Sequence, residues 1–208
     1  MKPPPGRVAA FIDGFNMYHA LHSEARWHRY KWLNYRRLCF CVLPTSASLD
    51  QLHYFTALYH NPKTDGHQRH QAYIRALLSV GADVIYGKFK HRDRFCPHCK
   101  REYPSREEKE TDVNIAIGLY RGAARDEFDT ALLVTADTDL LPAIKAFKAD
   151  FPGKQLGVIF PPGRASVDLK HVADFYMKTK EHHLSSCQFE NRLTLPDGTE
   201  LSRPGTWS

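Results

Sequence analysis

Val8-Ala9-Ala10-Phe11-Ile12-Asp13-Gly14-Phe15-Asn16 is an unbroken apolar run that ends in an acid and passes through glycine into residues at helical spacing. A short continuous apolar run reads as a strand buried on both faces, as in parallel sheets. Comparable runs recur at Leu52 to Tyr59, Asp83 to Phe89, Ala131 to Thr135 and Leu156 to Phe160. The intervals between them are long enough for crossover helices, so the pattern predicts an α/β fold with a mostly parallel sheet.

Helical spacing is expected over Phe15 to Ser23, Asn34 to Leu43, Gly66 to Val80, Thr111 to Ala124 and Leu140 to Ala149. Shorter helices are expected at Ser166 to Ala173 and Thr179 to Ser186, with a last strand at Asp174 to Met177 between them. In the third helix the apolar stripe is Tyr73, Ile74, Leu77 and Leu78, with Gly81 as its stop. In the fourth it is Val113, Ile117 and Tyr120, aligned with Ala116 and Ala124. Trp27, Trp32 and Tyr35 read as a satellite core in preference to a base-stacking platform.

Asp13 follows a strand, Asp112 opens the Thr111 helix, and Asp137 and Asp139 follow the run ending at Thr135. An acid just past a buried strand lies at the carboxyl edge of the sheet, where open α/β sheets bind ligands. Carboxylates drawn there from three distant segments repel one another unless a divalent cation holds them. The expectation is a Mg²⁺- or Mn²⁺-dependent phosphodiesterase. Each acid taken alone has a plainer explanation as a helix cap, and Asp139 is placed to cap the helix starting at Leu140. Covalent catalysis by Asp13 is disfavoured, because Phe15 stands where a phosphatase of the aspartyl-phosphate type has a second Asp. A dinucleotide oxidoreductase is disfavoured by the lack of Gly-x-Gly-x-x-Gly after the first strand.

Three segments carry a resemblance: Phe11-Ile12-Asp13-Gly14-Phe15-Asn16, Glu110-Thr111-Asp112-Val113-Asn114-Ile115-Ala116 and Leu133-Val134-Thr135-Ala136-Asp137-Thr138-Asp139-Leu140. In this order they resemble the signature of the NYN domain family, of the LabA/DUF88 type, within the PIN-like (FLAP-nuclease-like) ribonucleases. The likeness extends through Pro161-Pro162-Gly163-Arg164 to about Ser186. It implies a Rossmann-like three-layer α/β/α sandwich and a Mg²⁺ or Mn²⁺ pocket that cleaves RNA, most naturally as an endonuclease. Asp13, Asp112, Asp137 and Asp139 match the acidic positions, and Asn16 the polar position on the first helix. Ala136 departs from the Gly that many members carry, while Thr135 and Thr138 keep hydroxyls in place of serines. The alternatives are a catalytically weak RNA- or nucleotide-binding module on the same scaffold and, more distantly, a metal-dependent phosphatase of small molecules.

The segment from about residue 90 to 110 is charged and poor in aliphatic residues, and reads as an excursion from the sheet. Lys88, Lys90, Arg92 and Arg94 are candidate phosphate contacts, as is Arg164 after the Pro-Gly turn. The competing readings are a solvated loop and, for Arg164, an ion pair with Asp168 or Asp174. Cys96-Pro97-His98-Cys99 is half of a zinc ribbon, and a Zn²⁺ site there needs ligands such as His91, Cys39 or Cys41. Glu110 supports a metal or merely favours a helix N-terminus. The histidine pairs His19/His22 and His67/His70 read as helix surface, and Cys187 as a small packed residue.

The length of 208 residues fits one large domain, with 42% hydrophobic residues and a net charge of +6 that favours a polyanionic partner. The organisation expected is a nuclease-type domain over 1–195 and a turn-rich tail over 196–208 around Pro196-Asp197-Gly198. No run approaches the ~18 residues of a membrane span, the start lacks a signal-peptide pattern, and five cysteines do not form a secreted framework. The expected setting is cytoplasmic, away from membranes, with RNA, single-stranded or structured, as partner and a homodimer allowed.

Overall fold

The computed structural model describes residues 6–58, 64–95 and 98–207, without the side chains of 91–94 and 103–106. In chain order the elements are β1 (Arg7–Asp13), α1 (Gly14–His22), α2 (Tyr35–Phe40), β2 (Ser48–Thr56), α3 (Asp65–Ser79) and β3 (Asp83–Tyr86). Then come β4 (Lys88–Phe95), β5 (Glu102–Lys109), α4 (Thr111–Ala124), β6 (Thr130–Val134), α5 (Leu141–Asp150) and β7 (Gln155–Phe160). The chain finishes with α6 (Val167–Val172), β8 (Phe175–Lys178), α7 (Glu181–Ser186), β9 (Arg192–Thr194) and β10 (Glu200–Ser202). A 3₁₀ turn at Ala25–Tyr30 links α1 to α2, and another at Gly205–Trp207 closes the tail.

Six strands form one parallel sheet in the order β3-β2-β1-β6-β7-β8. The chain builds outward from β1 in one direction, then returns to β6 and builds the other way. The point of reversal lies between β1 and β6, and crevices at such points are where doubly wound sheets bind ligands. The fold is therefore the α/β sandwich with a parallel central sheet that the sequence implies.

Alternation along the strands divides two cores. Val8, Ala10 and Ile12 face a layer with Met17 of α1, Leu38 of α2 and Leu77 of α3. Ala9 and Phe11 face Ile115 and Leu119 of α4 and Ile144 and Phe147 of α5. Every one of these side chains is buried. Gly14 lets α1 start hard against β2: a Cβ there would stand 2.6 Å from the Phe55 carbonyl oxygen and 2.7 Å from the Tyr54 hydroxyl.

Several expectations change. The buried face of α4 is Thr111, Ile115, Leu119, Gly122 and Ala123, whereas Val113, Ile117 and Tyr120 are exposed. This helix carries apolar residues on two stripes, and only one meets the sheet. Leu78 likewise turns outward from α3, where Ala76 takes the buried place. The run from Asp83 to Phe89 is not one strand: β3 ends at Tyr86, and after Gly87 the chain rises into the antiparallel β4–β5 ribbon. The tail is not a free arm. β9 and β10 pair as a hairpin, and Trp207 is buried with its ring 6.2 Å from Trp32 and 5.8 Å from Tyr73. Among the described residues no helix is long and apolar enough to cross a membrane.

Candidate metal centre

Asp13 has the same parity along β1 as Ala9 and Phe11, so its carboxylate points toward the layer that holds α4. Thr135, one residue past β6, continues the parity of Ala131 and Leu133 and faces the same side. Its hydroxyl donates to Asp13 Oδ2 at 2.9 Å and accepts from the Asp137 N–H at 3.0 Å. Asp13 Oδ1 accepts from the Asn16 N–H at 2.9 Å, which caps α1. The Asn16 side-chain oxygen in turn accepts from the Ala136 N–H at 3.1 Å. The turn after β1 and the turn after β6 are thus locked together across the switch point.

Asp112 arrives from a third segment. The chain leaves β5, passes through a left-handed backbone at Glu110 (φ 78°) and enters α4, whose first turn carries Asp112. A non-glycine residue in this region stores of order 1–3 kcal/mol of strain, of the sort found at functional sites. One carboxylate oxygen from each of Asp13, Asp112 and Asp137 lies within 4.8 Å of the others. Ligand oxygens on one octahedral Mg²⁺ are about 2.9 to 4.2 Å apart at bond lengths of roughly 2.1 Å. At most one pair of three such oxygens can take the longer spacing, so the groups have to draw together by up to roughly 2 Å to share an ion, and their hard oxygens suit Mg²⁺ or Mn²⁺.

The electrostatics report crowded negative charge. Asp13 is only 3% exposed, and burial, followed by the charges of Asp112 and Asp137, pushes its carboxyl up to about 6 against donors that pull it down. Asp112 is raised by burial and by Asp137 and Asp139. Among the described residues no Lys or Arg forms an ion pair with any of the four aspartates. The hard oxygens of this set could hold a divalent cation.

Asp139 is exposed and lies outside the close trio, though near enough for its charge to act on Asp112. Asp139 does not cap α5, which starts without a side-chain cap; Asp137 instead caps the 3₁₀ turn at Thr138–Leu140 that leads into it, its Oδ1 accepting from the Asp139 N–H at 2.9 Å. The structure adds one acid that sequence reasoning missed. Glu108, near the foot of β5, is largely enclosed with Oε1 lacking a hydrogen-bond partner, and burial, Asp13 and Asp112 push it up to about 7. Only its register opposite Phe89 distinguishes it from Glu107 beside it. The ring of Phe89 packs edge-on to Phe15 at 5.6 Å, which plants the ribbon against the start of α1.

Of the expected phosphate contacts, Lys90 is exposed on the ribbon, while Lys88 pairs with Glu110. Arg92 and Arg94 lie in β4, and their side chains are outside the described residues. Arg164 is exposed and makes no ion pair among the described residues; Asp174 is held by Lys148 at 2.6 Å. The Arg164 charge helps to depress His19 on α1, after burial, so it stands at the rim on the α1 side. Cys96 lies outside the described residues and Cys99 is a free exposed thiol. Cys39 is enclosed in the core, and the exposed Cys41 has its sulfur 3.5 Å from that of Cys187.

The chain is 24% identical over 245 aligned residues to 6-hydroxy-3-succinoylpyridine 3-monooxygenase HspA of Pseudomonas putida, covering 98% of this chain and 76% of that one. Its fold is similar to the crystal structure of VPA0982, a protein of unknown function from Vibrio parahaemolyticus, with a TM-score of 0.61 at 19% identity over 87% of this chain and 98% of that chain. The NYN domain model matches residues 7–180, a span that holds all four aspartates, Asn16, Glu108 and the ribbon, and the chain belongs to the NYN domain family.

Proposed function

We propose that this protein is a metal-dependent ribonuclease that cuts RNA internally by hydrolysing phosphodiester bonds. The observation that carries the reading is the meeting of Asp13, Asp112 and Asp137 from three distant segments within 4.8 Å, with no cationic partner among the described residues. Mg²⁺ or Mn²⁺ held there would supply a water of lowered pKa and screen the charge that develops on the phosphorus oxygens.

The protein's own groups divide the remaining work. Asp13 is fixed by Thr135 and Asn16 and serves as the rigid ligand. Asp112 and Asp137 are more accessible and would complete the set that holds the ion. Asp139 and Glu108 flank the cluster and orient water, and Asn16 acts as a positioning residue through Ala136. Lys90, Arg92, Arg94 and Arg164 offer sites along a rim that would hold the RNA backbone without reading bases. Carrying the activity named for the Pseudomonas relative over to this chain would rest on 24% identity, and the carboxylate cluster gives firmer ground for hydrolysis.

The deciding experiment incubates the full chain and the Asp137→Asn variant with single-stranded RNA and Mn²⁺, with and without EDTA, and maps new ends. Internal cuts that vanish in EDTA and in the variant are expected. RNA that binds but stays intact would replace the nuclease by a binding module.

A further inference from the structure

On the face of the sheet opposite the carboxylate cluster, a cavity of about 340 Å³ opens between α1, the 3₁₀ turn at Ala25–Tyr30, α3 and the end of the tail. That size falls within the roughly 300–1,000 Å³ of small-molecule sites. Tyr54 has the parity of Leu52 on β2 and faces this layer, away from α4. The proposed nuclease reaction makes no use of the cavity.

Its floor is aromatic. Tyr35, Tyr54 and Tyr73 are buried with ring centroids 5.6, 6.0 and 6.5 Å apart in pairs, and Trp207 closes one side at 5.8 Å from Tyr73. At the mouth Tyr18, His22 and His28 form a ladder of near-parallel rings, with centroids 5.6 and 4.9 Å apart and planes 18° apart at each step. Flat surfaces of this kind favour a flat guest through stacked or edge-on ring contacts.

Its charge is cationic. Lys31 is only 7% exposed, and its Nζ donates to His22 Nδ1 at 2.9 Å and lies 5.2 Å from the Tyr18 ring centre. Arg69 of α3 lines the same cavity, close enough that its charge, after burial, depresses the Lys31 ammonium. Among the described residues neither cation has a carboxylate partner. His22 and His70 are both shifted toward the neutral form, so they offer hydrogen bonds without adding charge. Burying a cation without a counter-ion is costly, and a guest anion removes that cost.

We propose that this cavity binds a small planar aromatic molecule bearing one anionic group, a carboxylate or a phosphate, with its ring on the tyrosine floor and its anion between Lys31 and Arg69. The ring and the anion are recognised by separate surfaces, so both are needed.

The test is calorimetric titration of the full chain in EDTA, which removes any metal-held binding at the carboxylate cluster. One arm uses benzoate and naphthoate, the other AMP and UMP, with cyclohexanecarboxylate, benzyl alcohol and adenosine as controls lacking either ring or charge. Saturable binding of at least one arm is expected, tenfold or more tighter than its controls, and the arm that binds separates carboxylate from phosphate. Lys31→Met and Arg69→Gln should each weaken it at least tenfold, with circular dichroism unchanged. Failure of both arms, equal binding of the controls, binding confined to oligonucleotides, or folded variants that bind as wild type would each overturn the assignment.

Discussion

The Thr135 hydroxyl reaches across the switch point of the sheet to the Asp13 carboxylate at 2.9 Å, so the most buried acid of the cluster is held by a residue of the neighbouring strand's turn. The same hydroxyl receives the Asp137 N–H, and one side chain therefore braces two of the three clustered aspartates.

Thr135→Val keeps the shape and removes both bonds. It should destabilise the fold by about 1–3 kcal/mol, the cost of leaving buried polar groups unpaired. Urea unfolding measures this, and Mn²⁺ titration should show weaker binding. Unchanged metal affinity would mean that Thr135 supports only the fold.

Asp13→Asn and Asp137→Asn should each lower RNA cleavage by at least about a hundredfold, as expected when a preorganised charge at the reacting centre is lost. Far-ultraviolet circular dichroism should match wild type. Mn²⁺ binding by calorimetry should fall in parallel, which ties the lost rate to the metal and not to RNA affinity.

His70 gives a pH signature away from the carboxylates. Burial pushes its imidazole down to about 4 from an ordinary 6.5, and its Nε2 lies 3.2 Å from the Thr56 hydroxyl. The folded state resists the proton that the unfolded chain accepts, so this stabilisation is present above about 6.5 and lost as pH falls through 4. The gap is equivalent to about 3 kcal/mol. Stability of wild type against pH, set beside His70→Gln, should diverge over that window, the variant losing less on acidification.

Trp207→Ala should cost about 3–5 kcal/mol, the range for truncating a buried aromatic. Thermal unfolding checks it. A loss under about 1 kcal/mol would mean that the tail contributes little to the core.

Much of this molecule is legible from residue order, for reasons visible in particular places. Val8 to Ile12 and Ala131 to Val134 are buried on both faces, so continuous apolar runs mark them without ambiguity. The aspartates sit at fixed offsets from those runs, and strand geometry carries them to one edge. Where the reading fails, the pattern is degenerate. α4 bears two apolar stripes, and periodicity alone does not say whether Ile115 or Val113 meets the sheet. The ribbon has no alternation of apolar and polar residues, so nothing marks its strands or singles out Glu108. Trp207 stands among turn residues, and its burial depends on Trp32 and Tyr73 more than a hundred positions away.

The ribbon of β4 and β5 forms a two-stranded sheet of its own and, among the described residues, is not laddered to any of the six parallel strands. It works like an interchangeable tool head on a fixed handle: under the proposed nuclease function, lengthening it or altering its charges would change which nucleic acids can approach the acids below, while neither hydrophobic layer has to be repacked. If the chain cleaves RNA as proposed, substrate choice and bond cleavage can be engineered as separate problems in this scaffold, provided that Glu108 at the foot is left in place.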